Sequence, residues 1–219
     1  MLRELWTSVL MPERTMVPPG GTIVLGAVTG GGMEMSEPAW ESARQQLIRL
    51  LREQAVRYGP ATVGRGTVTD VFVDMPRVTL LGHGLSVIES LLMPLLADDH
   101  VGAVGGPAMG AIPLVTLMAR HQGAGFYVRL REPTPGRRPA IGGIPPQPGM
   151  SVALLDDLAA TGTSLLTCCE VVQGLGARVV SLYALVDREQ GAQERFAAHG
   201  LRYRPLITLS ELVRHTTEA

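Results

Sequence analysis

Val152-Ala-Leu-Leu-Asp-Asp-Leu-Ala-Ala-Thr-Gly-Thr-Ser164 decides how this chain is read. Residues 152–155 are all apolar, as in a strand buried on both faces, and Asp156 and Asp157 follow directly. Next come Ala160, Thr161, Gly162, Thr163 and Ser164, small and rich in hydroxyls, leading into helical spacing over 163–175 that stops at Gly176. Ligands of parallel α/β sheets bind beyond the carboxyl ends of the strands. Free N–H groups at a helix start, with the helix dipole behind them, form an anion site. Gly162 allows close backbone approach, and the three hydroxyls add donors. Two acids beside such an anion site are reconciled by a sugar: its vicinal hydroxyls donate to the carboxylates while its phosphate occupies the amide nest.

Outward from this loop, strands alternate with helices. Apolar strands are expected at 101–104, before Gly105-Gly106-Pro107, at 125–129 and at 179–186, and a polar/apolar alternation at 69–74. Helices are expected at 85–96, 112–120 and 192–199, with Gly200 as C-cap, and Thr208-Leu-Ser-Glu211 spells a capping box. Ser36 is the expected N-cap of a first helix whose Leu47, Leu50, Leu51 and Ala55 recur at helical spacing until Gly59-Pro60. Residues 132–149 show no period and much Pro and Gly, as in a long surface loop of the kind that forms lids. Buried strands separated by helices predict an α/β fold with a mostly parallel sheet covered on both faces. Residues 1–36, with their Pro-Gly runs, read as an N-terminal extension, partly mobile, ahead of a single domain at 37–219.

The 219 residues are 46% hydrophobic and carry 19 basic against 20 acidic groups, which supports a core and gives no reason to expect nucleic acid or an anionic membrane as partner. No apolar run reaches the ~18 residues of a membrane span, and no basic n-region with a sustained apolar stretch opens the chain, so neither membrane nor secretion is expected. Cys168 and Cys169, adjacent in a helix, read as buried small apolar residues, and a reducing cytoplasm follows as the expected compartment. His83, His100, His121, His199 and His215 have no ligand spacing and read as surface residues. Phe72 either stacks on a base or packs into the core. Every basic residue is Arg, because the chain contains no Lys.

The loop resembles the thirteen-residue phosphoribosyl-pyrophosphate motif of type I phosphoribosyltransferases. Gly105-Gly-Pro-Ala-Met-Gly-Ala-Ile-Pro-Leu114, Gly125-Phe-Tyr-Val-Arg129, Leu185-Val-Asp-Arg-Glu189 and Thr208-Leu-Ser-Glu-Leu212 extend the resemblance to the orotate phosphoribosyltransferases, over roughly residues 37–213. The resemblance implies the type I fold, with a small hood on the central sheet, and a glycosyltransferase of pyrimidine biosynthesis: phosphoribose passes from 5-phosphoribosyl 1-pyrophosphate to orotate, giving orotidine monophosphate and pyrophosphate. It implies ribose binding by Asp156 and Asp157 and a phosphate cradle from Ala160 to Ser164. It also implies a pyrophosphate turn of Gly106, Pro107, Ala108, Met109 and Gly110, with phosphate contact from Arg129. Mg2+ bridging the pyrophosphate and ribose, rather than a protein metal site, and a homodimer whose mobile loop completes the partner's site are implied as well. The family presents lysines and a histidine in that loop. Here Leu130 replaces a lysine and Arg131, Arg137 and Arg138 are the only cations that follow, while Gly64 or Arg65 stands where the base-binding stretch has a lysine. Two further readings therefore stay open beside the orotate reaction: the same chemistry on another base, and a non-catalytic regulatory protein that binds ribose phosphate.

Overall fold

The computed structural model describes residues 36–63, 67–130 and 140–213; the N-terminal extension, the loop cations Arg131, Arg137 and Arg138, Gly64, Arg65 and His215 lie outside the described residues. Ser36 is the N-cap of α1 (Glu37–Leu50), its carbonyl accepting from the Ala39 and Trp40 amides at 2.9 and 3.0 Å, although its hydroxyl makes no capping bond. The apolar stripe continues through a π-helical turn, Leu51–Ala55, and burial of Leu47, Ile48, Leu51 and Ala55 pins both. Here the helix ends, ahead of the Gly59-Pro60 pair expected to stop it. That pair lies in β1 (Val56–Val63), which runs antiparallel to β2 (Thr67–Val73) as a two-stranded hood. Pro60 has no N–H for a ladder, and the register slips between Tyr58 and Ala61.

Two helices follow, α2 (Pro76–Thr79) and α3 (Gly82–Asp98), and then β3 (Ala103–Pro107), α4 (Ile112–Gln122), β4 (Gly125–Arg129) and β5 (Ala140–Gly143). The chain continues with β6 (Ser151–Ala159), α5 (Thr163–Gly174), β7 (Arg178–Asp187), α6 (Ala192–Ala198), β8 (Tyr203–Thr208) and α7 (Leu209–Val213). The main sheet has the order β5-β4-β3-β6-β7-β8, parallel throughout except for the β4–β5 pair. Side-chain alternation divides the core in two. Ala153 and Leu155 of β6 with Tyr183 and Leu185 of β7 pack under α1, α3 and α4, whereas Val152, Leu154, Leu182 and Ala184 pack against α5 and α6.

Several expectations are corrected. Gly105-Gly106-Pro107 belongs to β3 rather than following it, and β5 occupies part of the stretch expected as loop at 132–149. β6 runs on through both acids to Ala159, and β8, which sequence periodicity did not mark, closes the sheet. The capping box forms: the Thr208 amide donates to Glu211 Oε2 at 2.8 Å, and the Glu211 amide to Thr208 Oγ1 at 3.4 Å. Cys168 and Cys169 are buried in α5 as expected; burial pushes the Cys169 thiol up to about 12 and raises that of Cys168 further, so both stay protonated and inert. No helix among the described residues is long and apolar enough to cross a membrane.

Two polar clusters tie the periphery. From the first helical segment, Arg44 Nε donates to the Leu206 carbonyl at 2.8 Å and its Nη2 to the Glu211 carboxylate. Arg52 donates to the Leu212 and Glu211 carbonyls at 3.0 and 2.6 Å. Partial burial works against ionisation of Glu211, but Arg44 and the Thr208 amide together hold its pKa below the usual range. Elsewhere the fully buried side chain of Asp99 accepts from Tyr183 Oη and, at 2.8 Å, from Arg202 Nη1. Burial and the Asp99 charge push the Tyr183 hydroxyl up to about 12. Asp99→Ala takes the acceptor from Arg202 and leaves Tyr183 Oη only the Leu95 carbonyl at 3.3 Å, and it is expected to destabilise the protein by about 1–3 kcal/mol in urea titration. A change within ±0.3 kcal/mol would show the cluster to be ornamental.

Candidate functional site

The carboxyl ends of β3, β4, β6 and β7 meet at one edge of the sheet, where parallel strands deliver their functional groups. Between β6 and α5 the chain turns through Thr161 and Gly162, and Gly162, the N-cap of α5, has φ +74. A Cβ added there would stand 2.6 Å from the Phe196 ring, so only glycine fits both the conformation and the space. No side chain caps α5. The result is a hollow of about 120 Å³ lined by Asp156, Leu158, Ala159, Ala160, Thr161, Gly162, Thr163, Ser164 and Leu165. It holds the whole predicted cradle from Ala160 to Ser164. Thr161 Oγ1 and Thr163 Oγ1 lie 3.0 Å apart, and Thr163, Ser164 and Thr161 are exposed to solvent.

The two acids part company. Asp156, 7% exposed, lines the hollow on the α5 side of the sheet, and its Oδ1 accepts from the Asp157 amide at 3.0 Å. Asp157 does not line the hollow. Its carboxylate lies against Gly110, where an added Cβ would come within 2.3 Å of Oδ1. The reason is the strand itself: consecutive residues of β6 point to opposite faces. Asp157 therefore joins the turn Gly106–Gly110 at the end of β3, in which the Ala108 amide donates to the Val128 carbonyl at 2.8 Å and Met109 is 80% exposed. Burial raises the pKa of Asp156 well above the ordinary carboxylate range and the Asp157 charge raises it further; burial raises Asp157 as well.

Arg129, at the exposed end of β4, donates from Nη2 to Tyr127 Oη at 2.8 Å and stacks 5.3 Å from the Tyr127 ring centre. Phe72 is not brought to the hollow and is not in the core. It is 37% exposed and occupies the face of β2 opposite the half-buried Thr69 and Val71. Among the described residues no histidine lines the hollow; His121 pairs with Glu89 at 2.5 Å, and His83 contacts Gln46.

Two residues that sequence reasoning did not single out stand at this edge. Arg188, just past β7, is 9% exposed; its Nη2 donates to Thr69 Oγ1 at 2.9 Å and approaches the Val71 carbonyl at 3.4 Å, while Nε is buried with no partner among the described residues. Its neighbours hold it there. Asp187 Oδ1 accepts from the Glu189 amide at 2.7 Å, and the Glu189 carboxylate accepts from the amide and hydroxyl of Ser210 at 2.8 and 3.0 Å. The motif 185–189 thus fastens itself to β8–α7 and leaves the arginine facing the hood. On α6, Arg195 Nη1 donates to Thr163 Oγ1 at 2.8 Å.

No family model matches the chain. Orotate phosphoribosyltransferase of Corynebacterium glutamicum is 36% identical over 173 residues, 78% of this chain and 94% of that protein. The enzyme of the same name from Bradyrhizobium diazoefficiens is 31% identical over 182 residues, 79% and 97%. This chain belongs to the orotate phosphoribosyltransferase family. Among solved structures, Mycobacterium tuberculosis orotate phosphoribosyltransferase in complex with 5-phospho-α-D-ribosyl 1-diphosphate superposes with a TM-score of 0.65 at 33% identity, covering 78% of this chain and 98% of that one. As an orotate phosphoribosyltransferase-family member the chain has the type I fold, with central sheet, flanking helices and hood as expected from the sequence.

In this family member the signal for Arg188 lay in the quoted motif 185–189, where a charge ends a fully apolar strand. Nothing local marks Arg195, which reads as one more surface residue of a short helix. The burial of Asp156 has a consequence for stability. Because its folded pKa is raised, the folded state holds the proton more tightly than the unfolded chain. Its contribution is therefore favourable below the unfolded carboxylate pKa and is lost as pH rises through the folded value. Asp156→Asn, which keeps an acceptor for the Asp157 amide, is expected to raise the melting temperature by a few degrees at pH 8 and by less at pH 5 in scanning calorimetry. A lowered midpoint at pH 8 would contradict the idea of a costly carboxylate.

Proposed function

We propose that this protein is a phosphoribosyltransferase that passes the phosphoribosyl group of 5-phosphoribosyl 1-pyrophosphate to orotate, releasing pyrophosphate. The observation that carries this reading is the hollow at the start of α5: uncapped helix amides, three hydroxyls and a buried carboxylate at a strand's end. Membership of the orotate phosphoribosyltransferase family supports orotate over another base and over a non-catalytic role.

In this reading Ala160 to Ser164 hold the ribose 5-phosphate, the α5 amides and the hydroxyls of Thr161, Thr163 and Ser164 donating to its oxygens. Asp156 accepts from a ribose hydroxyl on one side of β6. Asp157, on the other, stands beside the turn of Gly106, Pro107, Ala108, Met109 and Gly110, where the pyrophosphate lies against backbone. Arg129 and Arg131 add positive charge toward the phosphates. Attack by the pyrimidine nitrogen forms the C–N bond as the C–O bond to pyrophosphate breaks, through a state resembling an oxocarbenium ion. The carboxylates stabilise that cation, and the remaining work is positioning.

Among the described residues no group of three or more His, Cys, Asp or Glu is placed to hold a metal alone. The two aspartates nevertheless offer hard oxygen donors of the kind Mg2+ prefers, which suits an ion carried largely by the pyrophosphate. Asp157, beside the pyrophosphate turn, would then hold such an ion, which when bound would neutralise the leaving group, while Asp156 stays on the phosphate-loop side of β6. We further infer that residues 37–219 are the catalytic domain and 1–36 an extension, and that the protein works as a cytoplasmic homodimer. Its likeness to enzymes of soluble nucleotide chemistry supports that setting.

Arg188 fits the acceptor. A guanidinium with a buried, unpartnered Nε and no carboxylate in ion-pair range among the described residues lacks an anion, and orotate carries one. The test is Mg2+-dependent consumption of orotate with stoichiometric pyrophosphate. Folded protein that binds phosphoribosyl pyrophosphate yet turns over no orotate would refute the enzyme reading, and turnover of a different pyrimidine or azole would refute the base. Arg188→Gln is expected to lower kcat/KM for orotate by about 10–100-fold while the KM for phosphoribosyl pyrophosphate stays within about threefold.

A further inference from the structure

The hollow's hydroxyl pair is held from outside by a cation. Arg195 Nη1 donates to Thr163 Oγ1 at 2.8 Å, and Thr163 Oγ1 lies 3.0 Å from Thr161 Oγ1; both threonines line the hollow. We infer that Arg195 is a positioning residue for the ribose phosphate, orienting the Thr163–Thr161 hydroxyls and lending the hollow the positive charge its own lining lacks. This inference rests on the proposal that the hollow takes the phosphate of a phosphoribosyl substrate.

Three observations lead to it. A hydroxyl has one hydrogen and two lone pairs. With one Thr163 lone pair filled by the guanidinium, its hydrogen is left for Thr161 or for an anion in the hollow. If it goes to Thr161, the Thr161 hydrogen is freed for that anion in turn. Either way one hydrogen of the pair is left to donate to the anion, and the guanidinium fixes the rotor that carries the chain.

Charge is the second observation. Among the described residues the lining contains one ionisable side chain, the Asp156 carboxyl, which repels a phosphate whenever it is ionised. The described residues place no carboxylate within ion-pair distance of Arg195, so its charge is not cancelled by a close partner.

The third is placement. Phe196, fully buried, stands against Gly162 and contacts the Tyr203 ring at 4.8 Å, which fixes α6 against the phosphate loop. The Arg195 amide donates to the Gly191 carbonyl at 3.1 Å at the start of the helix. The residue before the anchored phenylalanine is thereby held beside Thr163.

The experiment uses the full chain, with ribose 5-phosphate as the calorimetric probe and steady-state kinetics alongside. Arg195→Ala is expected to weaken ribose 5-phosphate binding and raise the KM for phosphoribosyl pyrophosphate by about 10-fold, with kcat and the KM for orotate within about twofold. Arg195→Lys recovers at least half of that loss on a logarithmic scale. Thr163→Val in the Arg195→Ala background adds less than it does alone, as coupled residues should. The affinity of the unaltered protein should fall more steeply with salt than that of Arg195→Ala. Undiminished binding in Arg195→Ala, full additivity with Thr163→Val, or an equal loss in the KM for orotate overturns the inference while leaving the reaction intact. Failure of the unaltered protein to bind ribose 5-phosphate overturns the inference together with the reading beneath it.

Discussion

At the start of α5 a carboxylate that has given up most of its water sits beside helix amides that no side chain caps, and each is unfavourable alone. Asp156 is pressed by its burial and by Asp157, while the amide row of α5 opens onto the hollow. A sugar phosphate relieves both at once, because its hydroxyls donate and its phosphate accepts. Neither group can be softened without loss. An acid with ordinary solvation would leave the hollow open to water, and a capped helix would have no donors to offer. The protein carries this tension in the free state, and a ligand with donors at one end and an anion at the other is the kind that would relieve it.

The surrounding structure works to hold that pairing still. Gly162 and Phe196 set the loop from below, α6 presses it from the side, and the antiparallel hood meets the sheet edge through Arg188 and Thr69. Alternation along β6 splits the neighbouring acids between two compartments, one with the phosphate loop and one with the β3 turn. A single dipeptide thus faces two compartments, and it does so through the pleat of the strand rather than through two separately placed elements.

Much of this was legible in the sequence wherever burial is continuous. The 125–129 strand was read to the residue, and the 152–155 and 179–186 runs found β6 and β7, because strands covered on both faces have little choice but to be apolar. The strands that were missed are those whose sequences break that rule. β5 is Ala-Ile-Gly-Gly, too short and too glycine-rich to signal extension. β8 contains Arg204 and Pro205, tolerated because this edge strand pairs only with β7. Gly59-Pro60 reads as a helix stop but sits in β1, where a single partner and a register slip accommodate the missing donor. At the site, the loop and its hydroxyls were legible as local pattern. The opposed directions of Asp156 and Asp157 were available too, from the period of two, once the strand was known to continue through them. Arg195 was beyond reach, since its bond to Thr163 joins residues 32 positions apart.

One feature far from the chemistry concerns how the chain is strung. Arg44 and Arg52 fasten the first helical segment to β8 and α7, so the beginning and end of the described domain are bound into one block. Topologically the domain is nearly a circle, with its seam already sealed by side chains instead of peptide. A circular permutant of the described domain that bridges this seam and opens at an exposed turn elsewhere keeps every sheet pairing, and cargo joined at the clasp is borne by that block rather than by the strand edge where the hollow lies.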